Sequence, residues 1–284
     1  MKSKLPPYAG PLQYLWHYGF RTYCALVLIF LILPLLVIVP LSFNASPYFT
    51  FTQKMLSLNP SGYSLQWYQK FFTDPDWINA IKSSFIIAPI ATFVATALGT
   101  LAALGLSRSH MPYRLTLTSL LILPMIVPLI ITATAVFFYF SSLHLVNSFV
   151  GIIIAHSILG IPFVVITVTA TLSGFDFRLT QAAQSLGANP RYTFFKVIMP
   201  LVLPGIISGA LFAFMTSFDE VVIVLFLAGP IQRTLPLQMW INLRYNIDPT
   251  ILAVATLIIL LSICMLLTLE LLRRRNEKLR GIRT

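Results

Sequence analysis

The chain has 284 residues, of which 57% are hydrophobic and only 10% are charged. A soluble domain carries roughly a quarter charged residues, so this composition excludes one and specifies a membrane protein. The formal net charge of +11 sits in loops and in the tail, without an aromatic-interleaved basic patch, which argues against nucleic-acid binding.

Residues 1–22 carry Lys2, Lys4 and Arg21 and are expected to form a cytoplasmic N-terminal segment. A charge-free run follows, and about 20 apolar residues are enough to cross a bilayer core. The first predicted span is 23–43, with Pro34 and Pro40 as expected kinks. It is longer than a signal-peptide core and lacks a small-x-small cleavage site, so it is read as an uncleaved span. A polar loop containing Asn59-Pro60-Ser61-Gly62 and Trp67 leads to a second span at 80–106. Arg108, His110 and Arg114 then make a short basic loop. The third span is predicted at 115–140, with Pro124 and Pro128 inside it, and the fourth at 149–170 after a turn near His144 and Asn147. His156 lies in that fourth span and reads as a hydrogen-bonded packing residue. The fifth and sixth spans are predicted at 201–227 and 250–272, and a basic tail, 273–284, ends the chain.

Between the fourth and fifth spans, residues 179–204 read as helix, glycine turn, helix. Leu179 to Leu186 are good helix formers, and Gly187 falls where a left-handed C-terminal cap belongs. Asn189 offers an N-cap oxygen, and Pro190 takes the first helical position, where its missing N–H costs nothing. Such a hairpin either docks its short helix into a groove on a soluble partner or is an ordinary interfacial loop. Lys54, Lys70, Lys82, Arg233 and Arg244 fall in the loops and span ends on one side; the remaining Lys and Arg fall on the other, with both termini and the hairpin. The positive-inside rule therefore puts the termini and the hairpin in the cytoplasm. The basic tail fixes topology and meets anionic headgroups.

Asp219 and Glu220 fall within the predicted fifth span, roughly 20 Å up the helix from Gly205 at about 1.5 Å per residue. An ionisable residue at that depth costs about 2.5–3.5 kcal/mol on insertion scales, so it needs a watery cavity or a partner. Two readings of the residues stand open: a cation path, or a structural pair bound to Arg233 or Arg244. Trp67 likewise is either a face for an alkylammonium or an interfacial belt residue. Gly205 and Gly209 have the small-xxx-small spacing that lets helices approach closely. There is no Gly-rich phosphate loop, no metal-ligand spacing among the four histidines, and no nucleophile–base constellation. Cys24 and Cys264 are too few for a disulfide framework. No catalytic site, metal site or cofactor is expected in this chain.

Gln181-Ala182-Ala183, Gly187 and Val197-Ile198-Met199-Pro200 resemble the EAA loop of ABC-importer permeases. The family pattern is Glu-Ala-Ala, three residues, Gly, nine residues, Ile-x-Leu-Pro. Ala182, Ala183, Gly187 and Pro200 are identical to it, whereas Gln181 replaces Glu, Val197 replaces Ile and Met199 replaces Leu. Ser217-Phe218-Asp219 and the Trp67 context resemble the polyamine-type members of that family. The resemblance implies an all-α, six-span permease fold of the type I importer class, with residues 23–272 as the permease domain. Within it, 172–200 form a cytoplasmic coupling loop. It implies ATPase coupling through Gln181, Ala182, Ala183, Gly187, Pro190, Arg191 and Pro200. It further implies a solute path at Trp67, Ser217, Asp219 and Glu220. Implied partners are an ATPase dimer that binds ATP and Mg, a second and different permease chain, a periplasmic solute-binding protein, and the bacterial inner membrane. The implied solute is putrescine or spermidine; aminophosphonates, opines and ferric iron are the alternatives within the family. Outside it, the rivals are an ion-coupled secondary transporter working alone and a membrane anchor that transports nothing.

Overall fold

The computed structural model describes residues 10–108, 111–176 and 178–279. Lys2, Lys4, His110, the basic side chains at 273–275 and 278, and the tail beyond 279 lie outside what it describes. Every regular element among the described residues is helical, and the one β-bridge pairs Asn44 with Tyr63. Among the described residues five helices are long and apolar enough to cross a membrane, or six if a bent pair counts as one span.

The chain divides into two units. The smaller takes in the chain up to Phe71 together with Ile247–Ile259. Its first helix, Pro11–Leu41, begins well before the expected Tyr23 and runs through both Pro34 and Pro40. The loop that follows is organised by Asn44, which is fully buried. Its amide donates to the carbonyls of Tyr48 and Thr50, and its Oδ1 accepts from the Ser46 N–H. The Trp67 indole N–H donates to the Asn44 carbonyl at 2.7 Å. Lys70 pairs with Asp248 at 2.6 Å. Burial alone would raise the Asp248 carboxyl, but hydrogen bonds from Lys70 and Thr250 and the Lys70 charge outweigh it, holding it below its ordinary 3.8.

The larger unit takes in Phe72–Asn246 and the chain from Leu260 onward. Its centre is three helices: Pro75–Leu106, Phe149–Ser173 and Met199–Asp219. Small residues set how closely they approach. A Cβ built at Gly209 would lie 2.8 Å from the Val164 Cα, and one at Gly99 would lie 2.7 Å from the Val164 Cβ. Gly160 is held the same way between Ala95 and Ala213, at 3.0 Å from the Cβ of each. Gly205 abuts the Thr171 hydroxyl. The Gly205–Gly209 spacing thus brings the fourth and fifth spans nearly to backbone contact.

Two spans expected to be continuous are broken. The third is two helices, Arg114–Ile126 and Leu129–Ser142, bent by 101°. The break falls at Val127, whose backbone is extended (φ −68°, ψ 134°). Pro128 disfavours helical geometry in the residue before it, so the proline sets the site of the break. The fifth span stops at Asp219; Glu220 is extended, and a separate helix covers Val222–Leu227. In the opposite sense, the hairpin's second helix and the fifth span are one element, Pro190–Asp219.

Residues 228–246, expected as a plain loop, instead fold back onto the second span. A short helix, Leu235–Tyr245, buries Leu235, Leu237 and Gln238. Ser84 Oγ accepts from the Leu235 N–H at 2.8 Å, and Ser83 Oγ donates to the Ile231 carbonyl at 3.0 Å.

Candidate functional site

The loop between the fourth and fifth spans begins with the helix Arg178–Ser185. Its end is a Schellman cap: the Ala188 N–H donates to the Ala183 carbonyl and the Gly187 N–H to the Gln184 carbonyl. Gly187 has φ +83°, the left-handed conformation this cap requires. The Asn189 side chain then accepts from the Tyr192 N–H at 2.8 Å, with Pro190 in the first helical turn. Gly187, Asn189 and Pro190 therefore occupy the positions expected of them.

The hairpin offers an outward surface. Gln181, Ala182, Gly187, Pro190, Arg191 and Pro200 are exposed and Ala183 is half-buried. Leu186 is 89% exposed, and Tyr192 and Phe195 also face out. From there the helix passes through a π-helical turn, Phe194–Ile198, in which the Met199 N–H reaches back to the Phe194 carbonyl. Pro200 accounts for the turn: it has no N–H for the Lys196 carbonyl, and its ring crowds that carbonyl in a regular helix.

Gly187→Val is expected to destabilise the hairpin by about 1–2 kcal/mol, the penalty for a side chain in the left-handed region. Among the described residues nothing lies within 4 Å of a Cβ built there, so the effect is conformational, not steric. Limited proteolysis of the hairpin in the purified protein measures it. Gly187→Asn should resist cleavage better than Gly187→Val, and equal resistance of the two would refute the backbone argument.

At the far end of the same helix the two acids part company. Asp219 is the last helical residue and is exposed, whereas Glu220 is 6% exposed. Glu220 Oε1 accepts from the Ile223 N–H at 2.8 Å and so caps the short helix Val222–Leu227. Among the described residues no ion pair joins either acid to Arg233 or Arg244; Arg244 lies instead over the Trp240 ring, 4.9 Å from its centroid. Ser217 is buried, and its Oγ lies 2.8 Å from His156 Nδ1. Phe218 stacks on Phe214 and meets Phe85 edge-on. Trp67 is half-buried in the smaller unit, its N–H committed to Asn44. Among the described residues no cluster of His, Cys, Asp or Glu could hold a metal ion.

Sequence reasoning did not find the Ser83 and Ser84 clamps, and it singled out His156, as hydrogen-bonded, and Ser217 without pairing them. Each contact joins residues far apart in the chain, which a local pattern does not show.

The chain is similar to the Haemophilus influenzae spermidine/putrescine transport system permease protein PotC, with 31% identity over 87% of this chain and 93% of the relative. It is 32% identical to the Escherichia coli (strain K12) putrescine transport system permease protein PotI, over 81% of this chain and 82% of the relative. A crystal structure of a bacterial ABC transporter that imports the acidic polysaccharide alginate contains a chain of the same fold. That chain aligns with a TM-score of 0.73 over 93% of this one and 99% of itself, at 14% identity. The binding-protein-dependent transport system inner membrane component family matches residues 95–278. A match over most of the chain, on a bundle of apolar spans with a capped hairpin between two of them, makes this protein a member of the family of binding-protein-dependent transport system inner membrane components.

Proposed function

We propose that this chain is the permease subunit of an ATP-driven importer for a small polyamine such as putrescine or spermidine. The observation that carries the proposal is the helix Pro190–Asp219, 30 residues long. At 1.5 Å per residue it spans about 45 Å, with the exposed hairpin at one end and Asp219 at the other. One element therefore joins a surface suited to a soluble partner to a carboxylate suited to a cation. The polyamine transport named for the relatives supports the choice of solute.

In this reading both termini and the hairpin face the cytoplasm, where a separate ATPase dimer docks on Gln181, Ala182, Ala183, Gly187, Pro190, Arg191 and Pro200. A second permease completes the pathway, and a periplasmic binding protein delivers solute to the outer face. Nucleotide must bind the two conformations with different affinity, since equal binding shifts nothing. Closure of the ATPase dimer then moves the hairpin, the long helix carries the motion, and the solute passes Asp219. Glu220 stays in place as a cap, and Trp67 is assigned to the path by its resemblance to the family tryptophan, an indole face being able to hold an alkylammonium.

The test is co-purification of the chain with a candidate ATPase and second permease, followed by hydrolysis assays in lipid. Binding protein loaded with putrescine is expected to stimulate hydrolysis; unloaded protein is not. Stimulation by another solute alone would replace the polyamine assignment, and failure of any ATPase to associate would remove the coupling reading.

A further inference from the structure

His156 is a buried titratable side chain for which the solute-path reading has so far had no use. It is 1% exposed, within the helix Phe149–Ser173. Its Nδ1 lies 2.8 Å from Ser217 Oγ, a bond between residues 61 positions apart. Its Nε2 is buried with no hydrogen-bond partner among the described residues. A buried polar atom left unpaired is unfavourable, and an aliphatic side chain would fill the space without one. What the imidazole adds is therefore the bond at Nδ1.

That bond reaches the last turn of the Pro190–Asp219 helix. Asp219 follows Ser217 by two residues, and the helix stops there because Glu220 is extended and its carboxylate caps the next helix. A helix end with no continuation frays unless something outside the helix holds it. The His156–Ser217 bond ties this end to the fourth span, whose spacing from the fifth is already set by Gly205 and Gly209.

We propose that His156 is a positioning residue for the solute path: its Nδ1 bond to the Ser217 hydroxyl fixes the helical turn that presents Asp219. This rests on the reading of Asp219 as part of that path. The two side-chain amides separate the roles of the ring nitrogens, since Asn places a hydrogen-bonding group near the Nδ1 position and Gln near the Nε2 position.

The experiment uses the whole transporter in liposomes, with its ATPase, partner permease and binding protein, and records putrescine uptake alongside stimulated hydrolysis. His156→Ala and Ser217→Ala are each expected to raise the half-saturating concentration about five- to tenfold, the size of one buried neutral hydrogen bond. Because they remove the same bond, the double variant should be no worse than either single one. His156→Asn should stay within about twofold of the unaltered protein, and His156→Gln should resemble the alanine variant. Stimulated hydrolysis should persist in the His156 variants; a packing role would instead lower assembly, hydrolysis and uptake together, alike for Asn and Gln. Additive effects of the two alanines, or preservation by Gln and not by Asn, would overturn the inference. If His156→Ala does not assemble, the Asn and Gln variants decide. Asp219→Asn is measured alongside: unchanged uptake there would remove the path reading itself, whatever coupling His156 and Ser217 show.

Discussion

Asp219→Asn should raise the half-saturating solute concentration about tenfold or more, the scale of one hydrogen bond to a charged group. The substitution keeps the shape of the side chain and removes only its charge. Asp219 is exposed at the helix end and has no ion-pair partner among the described residues, so the fold does not depend on that charge. Expression and assembly should therefore be unchanged, and Asp219→Glu should recover part of the loss. Glu220→Gln separates the two acids, because its amide oxygen can still accept from the Ile223 N–H that Glu220 now caps. It should transport nearly as the unaltered protein does. The measurement is concentration-dependent uptake of putrescine at matched amounts of complex. Unchanged kinetics for Asp219→Asn would rule out a cation path there, and a larger loss from Glu220→Gln would reassign the path to the buried acid.

Gly209→Leu is expected to abolish the assembled protein. Its Cβ would lie 2.8 Å from the Cα of Val164, which is itself fully buried. Overpacking a core costs typically about 1–3 kcal/mol when side chains can move aside. Here the Thr167 hydroxyl at 2.5 Å and the Val164 backbone both obstruct, and because backbone cannot move aside the helices themselves must separate. Separation would also disturb the neighbouring contacts of Val164 with Gly99 and of Gly160 with Ala95 and Ala213. The yield of monodisperse protein after solubilisation reads the effect. Val164→Ala in the same chain should not restore it, because the Cα remains; restoration would show that the contact is side chain against side chain. Gly105 is the control, since among the described residues nothing lies within 4 Å of a Cβ built there and Gly105→Ala should be neutral.

What could be read in advance followed the range of the interaction. The hairpin was legible because its determinants lie within a few residues: Gly187 for the left-handed cap, Asn189 for the next helix, Pro190 behind it. His144 and Asn147, placed in a turn, both have left-handed φ, 55° and 59°. The spans were legible from hydropathy, but their ends were not. The second starts at Pro75, because the Asp74 carboxylate accepts from the Asp76 N–H, a cap hidden in a polar stretch. The break at Val127 was within reach, since Pro128 disfavours helix in the residue before it, although the apolar run 115–140 reads as one continuous span. The break at Glu220 was not, since a charge in an apolar run suggests a ligand before it suggests a cap. The His156–Ser217 pair and the serine clamps on residues 231 and 235 depend on which helices pack together, and a single sequence does not encode that directly.

The π-helical turn at Phe194–Ile198 has one more consequence. It holds an additional residue in one winding of the helix, and each residue advances the azimuth by about 100°. The angular register of Arg191 and Tyr192 is therefore offset from that of Gly205 and Gly209 by about one residue's rotation. A helical wheel drawn straight through from Pro190 to Asp219 assigns one half of its positions to the wrong side. Scanning data from this segment belong on two wheels, divided at the π turn, with the lower wheel indexing the hairpin and the upper one indexing the bundle.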